Sequence, residues 1–168
     1  EEAAKESGHY VEEGYRLISS VTFDYMFSSE VDPDGELILN WVAGAFEPIT
    51  GYTLEEYIAL GGWRATLYPE DIAADEKDME MLRSNQPIIS ELRTIKKNGE
   101  TSWARVYAHP IWDNEENALV GIYGAVQDIT ERKNAELNLY KANSLLNITG
   151  AVAHVGGGRR NRRHHRRA

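Results

Sequence analysis

The chain has 168 residues, 42% hydrophobic and 27% charged, which is enough apolar content for one domain core with about fifty residues left for flanking segments. Acidic groups outnumber Lys and Arg by 27 to 18, and six arginines fall between Arg159 and Arg167. Residues 1–158 therefore carry 12 basic against 27 acidic groups and repel phosphate over most of their surface. The absence of cysteine excludes a disulfide scaffold, thiolate metal sites and thiol nucleophiles, and fits a reducing compartment. The longest apolar run, Ala118 to Val126, contains two glycines and is far short of a membrane span. No signal-peptide pattern opens the chain, which starts at Glu1, so it reads as a soluble cytoplasmic segment of a longer protein.

Residues 1–20 are acidic, with Val11, Tyr15, Leu17 and Ile18 at roughly helical spacing, and predict an N-terminal helical linker. Thr22 to Ser28 places aromatics at every second position, the strand period. Asp32-Pro33-Asp34-Gly35 then reads as a turn, and Glu36 to Val42 as the second strand of a hairpin. The acids Asp32, Asp34 and Glu36 lack the spacing of a calcium loop and predict a solvated turn.

Between Ala45 and Asn85 the breaks at Pro48, Gly51, Gly61-Gly62 and Pro69 predict short helices and turns. Thr53 is an N-cap with Glu55 and Glu56 in the first turn, where the helix dipole favours them. Pro69-Glu70-Asp71 opens a longer helix with a sparse apolar stripe of Ile72, Met79 and Leu82. Asp71, Asp75, Glu76, Asp78 and Glu80 around the rest of it predict a solvated face rather than a paired-carboxylate site.

The strand period returns from Pro87. Ile88–Lys97 and Glu100–Trp112 are joined by Asn98-Gly99, read as a two-residue hairpin loop; Asp113–Asn117 is a polar turn and Ala118–Ile129 the last strand. The order of elements predicts an α+β fold with the helices covering one face of an antiparallel sheet.

Five stretches, in order, resemble the PAS domain family: the Asp34-Gly35 turn; Phe46-Glu47-Pro48-Ile49-Thr50-Gly51-Tyr52 with Leu54-Glu55-Glu56; Tyr68-Pro69-Glu70-Asp71, with Tyr68 in place of the usual His; Glu91-Leu92-Arg93 to Asn98-Gly99 and Trp103; and Gly124 to Lys133, containing Asp128-Ile129-Thr130-Glu131-Arg132. The resemblance implies a PAS domain over residues 21–129, a five-stranded sensory module flanked by N- and C-terminal helices, with a ligand cavity between sheet and short helices. Strand alternation puts Ala104, Val106 and Ala108, with Val120, Ile122, Gly124 and Val126, on the inward faces; Phe46, Ile49, Tyr57, Ile58, Trp63 and Leu67 would close the cavity from the helical side. Apolar residues fill these places as core in liganded and empty PAS domains alike. Flavin domains of the cysteinyl-adduct type are excluded by the lack of cysteine. Haem ligated by histidine is disfavoured, because Ile72 to Asn85 contains no His and the register turns His109 outward with Tyr107 and Ile111. No metal-ligating cluster is found.

Asp128 and Glu131 have capping-box spacing at a strand-to-helix change, and the resemblance gives Asp128, Ile129, Thr130 and Glu131 a part in signal transmission. Residues 130–154 read as a helix with a weak a/d seam of Ala135, Leu139, Ala142, Leu146, Thr149 and Ala153, which either packs on its own domain or pairs in a homodimer. Ile148-Thr149-Gly150-Ala151-Val152-Ala153-His154 resembles the start of a histidine-kinase phospho-acceptor motif, with His154 at the phosphorylated position, and is cut off by Val155-Gly156-Gly157-Gly158. Residues 155–168, Arg-rich and without acids, read as a disordered, non-native tail; as a native tail they would be an RNA-binding arm. The expected function is a sensory module of a two-component histidine kinase, passing a ligand or partner signal to a downstream kinase module. The alternatives are a ligand-free interaction and dimerisation module, or a nucleic-acid binder acting through the tail. The chain carries no catalytic domain of its own.

Overall fold

Strand β1 (Tyr25–Val31) and strand β2 (Leu37–Gly44) form the first hairpin of a computed structural model that describes residues 23–155, with side chains through Ala151. The predicted N-terminal linker over residues 1–20, the His154 side chain and the Arg-rich residues 156–168 lie outside the described residues. The hairpin turn is held by Asp32, whose Oδ1 accepts from the amides of Asp34 and Glu36, both at 2.9 Å. Gly35, at φ 85°, supplies the left-handed position that the turn requires.

The chain then crosses one face of the sheet as helices α1 (Phe46–Thr50), α2 (Leu54–Leu60) and α3 (Trp63–Thr66), a 3₁₀ turn at Pro69–Asp71, and helix α4 (Ile72–Arg83). The N-cap at Thr53 closes a full capping box: its Oγ1 accepts from the Glu56 amide, while Glu56 Oε2 accepts from the Thr53 amide. Strands β3 (Ile88–Ile95), β4 (Thr101–Asp113) and β5 (Ala118–Asp128) complete an antiparallel sheet of order β2-β1-β5-β4-β3, so the last strand is the central one. The β3–β4 connection is longer than the two-residue loop expected from Asn98-Gly99. Lys96 N–H donates to Glu100 O, and only Gly99 of the loop has positive φ, whereas a type I′ turn needs it at both central residues.

The core lies between α4 and the sheet, where Met79 and Leu82 meet Ile88, Ala108 and Ile122. A second cluster of Leu39, Phe46 and Tyr57 lies under α1 and α2. Each such large side chain removed from water contributes about 1.5–3 kcal/mol before entropy. Polar ties fix the helical layer along β3. Asp71 accepts from the Arg93 amide at 2.7 Å and from its guanidinium at 2.6 and 3.1 Å, and that guanidinium lies 4.2 Å from the centre of the Tyr68 ring.

The compact unit of strands and short helices ends at Thr130, and a second unit begins at Glu131. Helix α5 (Thr130–Val155) has 26 residues and a length of about 39 Å. Among its seam positions the side chains of Leu139 and Leu146 are exposed.

Gly124, at the middle of β5, pairs with Phe27 on one side and Ala108 on the other. A Cβ there would stand 2.7 Å from the Phe27 ring and 2.1 Å from the Tyr107 carbonyl oxygen. Gly124→Ala is therefore expected to destabilise the fold by about 1–3 kcal/mol in urea unfolding, without a change in the denaturant slope.

Candidate functional site

Between the helical layer and the sheet lies a cavity of about 110 Å³. Its sheet side is lined by Ala104, Val106, Ala108, Ile122 and Val126, in the inward register expected from strand alternation. Its helical side is lined by Phe46, Tyr57, Trp63 and Leu67. Four residues expected on the inward faces or on the helical side stand outside the lining. Ile58 is 39% exposed, because the helical step of about 100° that turns Tyr57 inward turns its neighbour out. Gly124 faces inward but is covered by the Phe27 ring, which takes its place in the lining. Ile49 borders a smaller hollow of about 20 Å³ beside the cavity, which shares Tyr25, Tyr57, Thr94, Ala104 and Val126 with it and reaches Trp103 and Asp128. Val120, on the same strand face as Ile122, is exposed and is not part of the lining.

The two carboxylates in the cavity lining, Asp75 and Asp78, are ones expected on a solvated helix face. Asp75, Asp78, Met79 and Leu82 fall at i, i+3, i+4 and i+7 of α4 and share the face turned to the sheet, while Ile72 is exposed. The helical period carries this stripe, but two of its four members are acids. Asp75 is 6% exposed; its Oδ1 and Oδ2 accept from the Trp63 indole N–H at 3.1 and 3.3 Å, with Arg64 Nε 3.9 Å away. Burial pushes its carboxyl above the usual range, opposed by Trp63 and Arg64 and assisted by Asp78 and Glu76. Asp78 Oδ2 is buried with no hydrogen-bond partner among the described residues. Thr66 Oγ1–H donates to the Trp63 carbonyl, so the shared bond at 3.2 Å is donated by Tyr57. Burial raises the phenols of both Tyr25 and Tyr57.

The strand-to-helix junction is a second polar cluster. Asp128 Oδ1 accepts from the amide of Thr130 at 2.9 Å and from its hydroxyl, and Thr130 Oγ1 in turn accepts from the Trp103 amide at 2.9 Å. Ile129, buried, donates its amide to the Trp103 carbonyl. The amide of Asp128 donates to Asp24 Oδ2 at 2.6 Å, where a capping box would bring the Glu131 side chain; Lys96 Nζ stands 3.9 Å from Asp128 Oδ2. Asp128 thus caps the first amide of α5 as an Asx turn, two residues on rather than three. His109 is exposed on the outer sheet face, stacked on Tyr123 at 5.3 Å, and does not reach the cavity. The cavity is well below the roughly 300 Å³ at which drug-sized molecules are held, so the residues as arranged do not fit a flavin or a haem. No group of three or more His, Asp or Glu suited to a metal occurs among the described residues, and no described helix is long and apolar enough to cross a membrane.

The sequence profile of the family described as "PAS fold" matches residues 40–126. An uncharacterized protein, y4lL of Sinorhizobium fredii, is 31% identical over 104 residues, which is 61% of this chain; the chain spans only 12% of that protein's length. Among solved structures, a sensory box histidine kinase/response regulator from Burkholderia thailandensis superposes with a TM-score of 0.60 at 20% identity, over 79% of this chain and 97% of that one. The N-terminal domain of a diguanylate cyclase with PAS/PAC sensor from Marinobacter aquaeolei gives 0.54 at 14% identity, over 64% and 98%. A domain of a light and redox sensing histidine kinase from Haloarcula marismortui gives 0.51 at 20%, over 70% and 99%. These likenesses are of fold.

Two measurements probe the cavity. Xenon is expected to shift the amide resonances of its lining in the natural chain. Val126→Trp should remove that response at a stability cost of about 1–3 kcal/mol, and a response unchanged in the variant would place the cavity elsewhere. Asp75→Asn keeps an acceptor for Trp63 and removes the buried charge. Because the folded state raises the Asp75 carboxyl, its favourable contribution is complete below the unfolded value near 3.9 and is lost as pH rises through the folded one. The variant should therefore be the more stable at pH 7, with the difference shrinking toward pH 3 in paired thermal unfolding curves.

Proposed function

The chain belongs to the PAS fold family, and from that premise we propose that it is a sensory module in which occupancy of the inner cavity is passed through β5 to α5 and on to an effector in a longer protein. The observation that carries this reading is the position of β5. One strand supplies Ile122 and Val126 to the cavity and ends at Asp128, whose carboxylate holds the first amide of α5. The hollow between them has Val126 and Asp128 in its lining, so a side-chain displacement in the cavity is within one residue layer of the helix cap. Packed interiors convert such displacements into a choice between discrete arrangements rather than absorbing them.

The effector is a histidine kinase, the module acts in the cytoplasm, and α5 pairs with its copy in a homodimer along the seam of Ala135, Leu139, Ala142 and Leu146. The resemblance of Ile148–His154 to a phospho-acceptor motif supports the kinase, and the exposed leucines of α5 support the pairing. His154 is then the phosphorylated residue, and the chain's own part is control rather than catalysis. Two of the similar structures come from a sensory box histidine kinase/response regulator and from a light and redox sensing histidine kinase, which supports this part of the reading.

Asp128→Ala tests the transmission. Loss of a cap costs about 0.5–2 kcal/mol. Two signalling states separated by a few kcal/mol shift substantially under such a change. Amide hydrogen exchange should accelerate in the first turns of α5 while β3–β5 keep their protection, and autophosphorylation of the longer parent protein should change. Unchanged exchange across α5 would remove the cap's role, and unchanged output would remove the relay.

A further inference from the structure

Two carboxylates face a largely apolar cavity, whose other polar lining residues are Ser29, Tyr25, Tyr57, Trp63 and Thr94, and receive too few donors to satisfy them. An ionised carboxylate accepts only, at about four lone-pair sites. Asp75 receives one indole N–H shared between its oxygens, and its nearest cation, Arg64, is 3.9 Å away with a side chain 46% exposed. Asp78 Oδ2 is buried and receives nothing among the described residues, and Asp78 adds to the negative potential at Asp75. The groups facing Asp75 are Tyr57 from α2, Trp63 and Arg64 from α3, and Asp78 and Glu76 on α4 itself; across the cavity the sheet presents mainly Ile88, Ala108 and Ile122. Leaving a buried acceptor unmatched is costly, and a hydrogen bond to a charged group in low dielectric is about twice as strong as a neutral one.

We infer that the cavity binds a small primary ammonium compound, its N–H donors taken by Asp78 and Asp75 and its short aliphatic body by Met79, Leu82, Ala108 and Ile122. This rests on the reading of the cavity as a ligand site. Three features choose the class. An anion meets two like charges. A neutral alcohol brings one donor and no charge, whereas an ammonium brings three donors and the opposite charge. A void of about 150 Å³ holds benzene, so one of about 110 Å³ takes about four or five non-hydrogen atoms, the size of a butylamine.

Titration calorimetry of the full 168-residue chain at pH 7 with isobutylammonium chloride, isobutanol and ammonium chloride tests the assignment. A primary alkylamine is fully protonated at that pH. Isobutylammonium is expected to bind one to one, ammonium chloride to give no saturable heat, and isobutanol to bind about tenfold or more weakly. Asp78→Asn should weaken the amine by about tenfold or more and leave isobutanol unchanged. Isobutanol binding as tightly as the amine, or an amine affinity unmoved by Asp78→Asn, overturns the ammonium class while leaving the cavity a ligand site. Neither probe binding also overturns it, and the xenon response of the natural chain then separates the two failures: shifted lining amides keep the ligand cavity, and unmoved amides remove that reading as well. The comparison of probes on the natural chain decides the matter even if the variant does not fold.

Discussion

The missing side chain at Gly124 sets the geometry of the whole inner face. The Phe27 ring lies where a Cβ would be, with the Tyr107 carbonyl against the same point, so the middle of the central strand is covered by a neighbour's aromatic group rather than by its own residue. Across the sheet the facing residues are small: Ala108 beside Gly124, Val106 beside Val126, and Ala104 beyond. A row of small residues would let helices come down onto the sheet, but Phe46, Tyr57 and Trp63 hold them off with rings, and the space not filled is the cavity. The void is thus a product of large side chains on one wall and small ones on the other.

Most of this was legible in the sequence wherever one rule acted alone. Period-two alternation located the strands and gave the inward faces of β4 and β5, since a one-residue slip would have turned every small residue outward. Thr53 announced a helix start by its hydroxyl and by the acids after it. The failures came where two rules competed. Asn98-Gly99 carries the strongest short hairpin signal, yet the loop closes from Lys96 to Glu100 because Gly99 alone adopts the left-handed conformation. Polarity placed Asp75 and Asp78 in water, whereas the helical period placed them with Met79 and Leu82, and the period won. Residue type is a statement about average cost; a fixed helix face leaves the side chain no choice of direction. Ile49 and Ile58 failed differently, since apolar character in a short helix does not say which of two adjacent residues points inward.

At the junction the polar groups close on themselves. Thr130 donates to Asp128 and accepts from Trp103, while the Asp128 amide is held by Asp24, so β1, β4 and β5 all end in one network of hydrogen bonds. Such a cluster is worth more intact than the sum of its bonds, and a partial rupture leaves half-buried groups unmatched. The arrangement favours two states, closed or reorganised, over a graded series. Sequence reasoning found its members by resemblance and spacing, but the partnership with Asp24, 104 residues earlier, had no local signal.

The ties between the helical layer and β3 fall on an edge strand of the sheet. The Arg93–Asp71 clasp, the Tyr68 amide to the Arg93 carbonyl, the Leu67–Thr94 bridge, the Thr50 carbonyl to the Lys97 amide and the Lys97–Glu56 pair all fall along one side. On the β1 and β2 side the chain itself runs from Gly44 into α1, the Ala45 amide donates to the Asp24 carbonyl at 2.8 Å, and the Phe46 ring stands edge-on to Tyr25. The helical layer is thus fastened at both edges of the sheet, by an ion pair and backbone bonds at β3 and by the chain itself at β2.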